Sequence, residues 1–173
     1  MIEVVVSRLG MDPAQQTYVV VLQEREGARL LPIWIGQAEA ESIVMQMHNI
    51  KRARPLTHDL CKSLIIGLGA TLRRVQITRM ESNTYFGELH LERAGQAVRV
   101  DSRPSDAIAI ALRLDAPIFA AESLLVLPDD EDEEAAEETF ASPPALEESE
   151  LNAEQLKKYL EDLRPEDFGK FNL

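Results

Sequence analysis

The chain has very little cysteine: Cys61 is the only one in 173 residues. A single thiol excludes an internal disulfide and a cysteine-rich zinc centre, and it suits a reducing compartment. Long hydrophobic runs are also missing, so nothing approaches the roughly 20 apolar residues that span a bilayer. The opening "MIEVVVSRLGMD" lacks the basic segment and signal-length apolar stretch of a secretory leader and reads as a strand. These absences predict a soluble, cytoplasmic protein without a membrane partner.

Positive charge is short overall, with a net charge of -12, but the deficit is local. Between Asp129 and Glu150, "DDEDEEAAEETFASPPALEESE" holds eleven acids and no Lys or Arg. Residues Met1 to Pro128 carry fourteen charges of each sign and are formally neutral. An acidic block interrupted by Pro143 and Pro144 reads as a disordered linker, whose simplest role is solubility and whose sharper role is an arm competing with nucleic acid for basic surface. After it, residues 151–173 place Leu151, Leu156, Tyr159, Leu160 and Leu163 at helical spacing, with Asn152 as a candidate cap and Pro165 as a stop. The organisation expected is therefore a domain over 1–128, an acidic linker over 129–150 and one short amphipathic helix.

Within the first 128 residues, "IEVVVSRL", "TYVVVLQE", "ARLLPIWI", "TLRRVQITRM", "TYFGELHLE" and "QAVRV" alternate or cluster as strands do, broken by "REG", "ESN" and "AG". Three helical stretches interrupt them. One opens near Gly36 with Ala40, Ile43, Val44 and Met47 on a face; another follows Thr57 with Leu60, Leu64 and Leu68 expected inward; the third lies in the stretch Arg99 to Leu114. Hairpins mixed with helices, without regular alternation, predict an α+β fold with an antiparallel-rich mixed sheet of meanders.

The third helical stretch carries the sharpest chemistry. In "RVDSRPSDAIAIALRL" two carboxylates, a guanidinium and two hydroxyls crowd against Pro104, and an almost wholly apolar helix follows. Such a helix is buried, and with Ser102 or Ser105 as cap its polar start either faces a cleft able to hold phosphate or closes an internal ion-pair network. At an offset of 67, Thr17-Tyr18 falls on Thr84-Tyr85 and "GQAEA" on "RPSDA", so the chain either contains a strand-hairpin-strand-helix duplication or has two meanders alike by chance. In a duplication, Glu39 and Asp106 are equivalent first-turn acids, the simplest pair for a divalent cation, since Mg²⁺ takes one or two carboxylates with water and phosphate oxygens.

A second polar cluster lies in "NIKRARPLTHDL", where Lys51, Arg52 and Arg54 lead to Thr57-His58-Asp59. Arginine forks match phosphate, and His58 can act as acid or base near neutral pH; a basic helix flank followed by a Thr cap is the plain alternative.

Taken together, "LPIWIGQAEAESI", "RPLTHDL" and "DSRPSDAIAIALR" resemble the bifunctional nuclease domain family, over about Met1 to Leu127, and "YLEDLRPEDFGKF" is similar to the tail of bacterial members. The resemblance implies an α+β domain, a homo-oligomer with a dimer favoured, and nuclease action on both DNA and RNA. Carried onto this chain, the motif residues are Glu39, Arg54, Thr57, His58, Asp59, Asp101, Arg103, Ser105 and Asp106. We assign Glu39, His58, Asp59, Asp101 and Asp106 to catalysis, with Asp59 orienting His58. Glu39 and Asp106 would hold the metal, expected to be Mg²⁺, and Arg54, Arg103 and Ser105 the phosphate. The rival is a non-catalytic oligomeric binding module in which the same residues are caps and buried ion pairs.

Deleting Asp129 to Glu150 and rejoining the chain should leave the melting temperature nearly unchanged, because the segment has too little apolar surface to offset its ordering entropy. A large fall in thermal melts contradicts the linker reading; tighter nucleic-acid binding at low salt identifies a competing arm.

Overall fold

The computed structural model describes residues 1–12, 17–50 and 52–128; the expected linker and C-terminal helix lie outside the described residues. The elements follow the order β1 (Ile2–Asp12), β2 (Thr17–Glu24), β3 (Leu30–Ile35), α1 (Gln37–Met47), α2 (Thr57–Gly67), β4 (Ala70–Glu81), β5 (Thr84–Arg93), β6 (Gln96–Ser102), α3 (Pro104–Leu114) and β7 (Ile118–Ala120), then a single 3-10 turn at Glu122–Leu124. One seven-stranded sheet has the order β3-β2-β1-β7-β4-β5-β6. Only β4 and β7 pair in parallel; the other ladders are antiparallel, as expected of an α+β meander fold. Among the described residues no helix is long and apolar enough to cross a membrane.

Turn chemistry explains the tight hairpins. Ser82 and Asn83 join β4 to β5 with φ of 47° and 60°, and Ala94 and Gly95 join β5 to β6 with φ of 50° and 77°. Two successive positive φ values give the primed turns whose twist matches the flanking strands. The missed strand, β7, is three residues long. Sequence pattern cannot register so short a run, yet it joins the two meanders by pairing Ile2↔Ala120 and Val4↔Ile118 on one side and Val75↔Ile118 and Ile77↔Ala120 on the other.

The halves β1-β2-β3-α1 and β4-β5-β6-α3 repeat in the same order. Gln37–Met47 and Pro104–Leu114 are both eleven residues long, and the register of each first strand shifts, between Val6 and Arg8 in β1 and between Leu72 and Arg74 and again between Ile77 and Arg79 in β4. Sheet order is symmetric about β7. Glu39 and Asp106 each stand third in their helix, so element geometry gives the duplication the support that few sequence identities could not.

The core lies between one sheet face and the helices. Val4, Val20, Leu22, Leu31, Ile33, Val75, Ile77, Leu89, Ile118 and Ala120 meet Ala107 to Ala111 of α3 and Ile43 of α1. Each large aliphatic side chain fully buried here contributes about 1.5–3 kcal/mol. Five consecutive buried residues make α3 the central helix, as its all-round apolarity predicts.

Two helix faces differ from the sequence reading. In α1 the buried residues are Ala40, Ser42, Ile43 and Met45, while Met47 is exposed. In α2, Leu60 and Leu64 are exposed, as is Leu68 at its C-cap; His58 is buried and Cys61 and Ile65 pack against the core. This helix is apolar on two sides, so periodicity does not choose between them. The choice is made by His58 and Asp59, whose polar partners lie on α1 and α3.

Gly87 in β5 sits against the β6–α3 junction, where an added Cβ would come within 3.1 Å of the Ser102 carbonyl and 3.3 Å of Pro104. Those neighbours are backbone and yield little, so Gly87→Ala should lose about 1–3 kcal/mol in urea unfolding. Gly67→Ala, where nothing lies within 4 Å of the new Cβ, should be neutral or slightly stabilising.

Candidate active site

The starts of the three helices converge. Each carries an acid at its third residue, Glu39, Asp59 and Asp106, where a carboxylate complements the unpaired N–H groups and positive dipole end. Capping itself departs from expectation: Leu56 and Arg103 occupy the N-cap positions, neither Thr57 nor Ser102 nor Ser105 caps, and Pro104 takes the first turn. Asp59 performs the cap on α2, its Oδ2 accepting from the Leu56 N–H at 2.9 Å.

Arg103 links two of the acids. Its Nη2 lies 2.6 Å from Glu39 Oε1, its Nε donates to Asp106 Oδ2 at 2.7 Å and Nη2 to Asp106 Oδ1 at 3.0 Å. Asp106 Oδ1 also meets His58 Nε2 at 3.1 Å, and His58 Nδ1 meets Ser42 Oγ at 2.7 Å. The result is one chain, Glu39–Arg103–Asp106–His58–Ser42, drawn from α1, the β6–α3 junction, α3, α2 and α1 again. Its inner end is dry, with Ser42 and His58 only 3% and 9% exposed, while the Arg103 side chain is 66% exposed.

Burial pushes the Asp106 carboxyl up, but hydrogen bonds from Arg103 and His58 outweigh it and hold the group below the ordinary carboxylate range. The Arg103 guanidinium is correspondingly raised, chiefly by its hydrogen bond to Asp106. Asp106 is therefore an anion at neutral pH, flanked by a fixed imidazole and an accessible cation.

The remaining predicted residues divide clearly. Asp59 does not orient His58: its Oδ1 accepts from Arg113 Nε at 2.6 Å, tying α2 to α3. Asp101 is exposed and pairs with Glu88, so it lies on the sheet face opposite the one that buried Leu89 packs on the helices, away from the cluster. Ser105 is buried in the first turn of α3, and Arg54 is exposed ahead of α2 with no ion pair among the described residues. Ser42 escaped the sequence reading because a lone serine inside an amphipathic helix carries no motif.

Hard oxygen donors suit Mg²⁺, but no group of three or more His, Cys, Asp or Glu among the described residues can hold a metal. Glu39 and Asp106 supply two carboxylates, and both now neutralise Arg103. That pair fits Mg²⁺ only where water and phosphate oxygens complete its shell.

The family model of the bifunctional nuclease domain matches residues 20–129. An uncharacterized protein of Mycobacterium tuberculosis is 38% identical over 171 residues, covering 96% of this chain and 97% of the relative. Bifunctional nuclease 1 of Arabidopsis thaliana is 34% identical over 110 residues, covering 62% of this chain and 34% of the relative. Bifunctional nuclease 2 of the same plant is 33% identical over 108 residues, 61% of this chain and 33% of the relative. The similarity thus spans about a third of each plant protein.

Arg113 is 4% exposed in its side chain and its partner Asp59 37%. Arg113→Ala should cost about 2 kcal/mol, less than the ~3–5 for a fully buried pair because Asp59 reaches solvent. The hydrogen bond from Arg113 lowers the Asp59 pKa, so the stabilisation is complete above the ordinary Asp value near 4 and is lost as pH falls through the lowered one. Urea unfolding between pH 2 and 5 should therefore show a shallower acid loss for Asp59→Asn than for the wild type.

Proposed function

We propose, from the premise that the chain belongs to the bifunctional nuclease domain family, that it hydrolyses phosphodiester bonds of DNA and RNA at the Glu39–Arg103–Asp106–His58 cluster. The observation that carries this reading is the exposed Arg103 guanidinium, set at the start of a buried helix between two carboxylates and backed by a buried histidine. Arg103 is placed to take the scissile phosphate in its fork, with Arg54 extending the contact along the strand. A phosphate that draws Arg103 away leaves Asp106 anionic and still anchored by His58, in position to accept a proton from water. Glu39 is released by the same exchange.

A divalent cation, Mg²⁺ by the oxygen chemistry of the pair, would be held by Glu39 and Asp106. When bound, it neutralises developing charge on the phosphorane and makes water more acidic. We further infer a homo-oligomer, with the dimer the simplest form, because Leu60, Leu64 and Leu68 leave an apolar stripe of α2 uncovered. A cytoplasmic setting accords with the single free thiol, Cys61.

One observation favours the alternative, a non-catalytic binding module: both carboxylates are already neutralised by Arg103, as in a structural ion-pair network. Activity separates the two. The purified protein should nick supercoiled DNA and degrade single-stranded RNA only with a divalent cation, and chelation should stop both. Asp106→Asn should remove both activities by at least about 100-fold while folding survives, since Asn keeps the shape of Asp and its Oδ1 can still accept from His58 and Arg103. Activity undiminished in Asp106→Asn, or in the Glu39→Gln, Asp106→Asn double variant, excludes these residues; metal-independent phosphate binding alone favours the module.

A further inference from the structure

The hydrogen-bonding of His58 is over-determined, and the group responsible is on α1. Both Asp106 oxygens accept from Arg103, so the carboxylate meets His58 as an acceptor and His58 Nε2 donates to it across 3.1 Å. A neutral ring has one N–H, which leaves Nδ1 as an acceptor in a site only 9% exposed. Ser42 Oγ lies 2.7 Å from that nitrogen and is the hydroxyl that supplies the proton. A serine in a helix commonly turns its hydroxyl to the carbonyl four residues back; here it is turned to the imidazole instead.

We propose that Ser42 is a positioning residue for the reaction assigned above, donating to His58 Nδ1 and thereby holding the ring as the Nε2–H tautomer turned to Asp106. The role rests on the nuclease reading for its consequence, but not for its geometry. Asp106 shares Oδ1 between His58 and Arg103 and gives Oδ2 to Arg103 alone. Once Arg103 moves to a phosphate, His58 is the remaining anchor of that carboxylate, and it anchors only in one tautomer and one ring orientation. Without the Ser42 hydroxyl, a flip of the ring places carbon against Asp106, or the proton moves to Nδ1, and the carboxylate is free to pivot. The charged groups around the ring are Asp106 and, beyond it, Arg103 and Glu39, together with Asp59 on the same helix and its partner Arg113. None of these contacts Nδ1, so among the described residues Ser42 alone holds that edge, reinforcing the tautomer that Asp106 favours and opposing a flip of the ring.

Nitrogen-15 NMR of the imidazoles reads this directly. His48 and His90 are the other two histidines, and comparison with His58→Gln assigns the His58 signals. In the neutral ring of the wild type, Nε2 should resonate as the protonated nitrogen and Nδ1 as the unprotonated one. Ser42→Ala should bring the two shifts toward each other. It should also lower kcat for DNA nicking by about 10- to 100-fold, the usual effect of removing an orienting hydrogen bond, with KM little changed. Ser42→Thr, which restores the hydroxyl, should recover the wild-type nitrogen pattern and most of kcat. A wild-type ring protonated on Nδ1, or an unchanged pattern in Ser42→Ala, overturns the proposal. If Ser42→Ala fails to fold, the wild-type pattern decides. A wild type without nuclease activity overturns the function instead, and the nitrogen pattern still judges Ser42.

Discussion

The Asp106 carboxylate is the interaction on which the rest of this molecule turns. Three helix starts meet at one place, and each brings partial positive charge from unpaired N–H groups. Converging them around a buried imidazole and a guanidinium without compensation would be costly. Asp106 resolves the conflict by accepting from Arg103 and His58 together, and Glu39 and Asp59 neutralise the remaining cations. The carboxylates are thus fixed by the way the helices pack, before any ligand is considered.

That packing follows from α3. A helix buried from Ala107 to Ala111 leaves only its start and its Arg113 edge for polar contact. Arg113 draws Asp59 and with it α2, and Arg103 draws Glu39 and with it α1. Each neighbour is held by one apolar seam and one ion pair, and the seams alone would not fix rotation about the helix axes. The ion pairs do so, which is why α2 presents His58 inward and leaves three leucines in solvent.

Much of this was legible in the sequence. Six strands, three helices and the buried character of α3 followed from alternation, turn residues and apolar runs, because those signals are local. The first-turn acids Glu39 and Asp106 stood out for the same reason. Legibility ended where a choice depended on distant partners. The inward face of α2, the true partner of Asp59 and the contact of Ser42 are all settled by residues more than ten positions away. Strand β7 was hidden for a different reason, being stabilised by pairing on both sides rather than by its own three residues.

The duplication sharpens where chemistry arises. Glu39 and Asp106 are equivalent, but the residue at the helix N-cap is Gly36 in one half and Arg103 in the other. A symmetric pair of carboxylates would repel and depart from ionisation at neutral pH. One arginine, contributed by only one half, bridges both and offsets that repulsion. The insertion of α2 between the halves then gives His58 to Asp106 alone, so the two equivalent acids acquire different surroundings: among the described residues Asp106 has a buried donor besides Arg103, while Glu39 has only Arg103. Loss of Arg103 to an incoming phosphate would leave one acid anchored and one free. The different surroundings of otherwise equivalent carboxylates therefore follow from breaking the repeat at two places, the N-cap of α3 and the inserted helix.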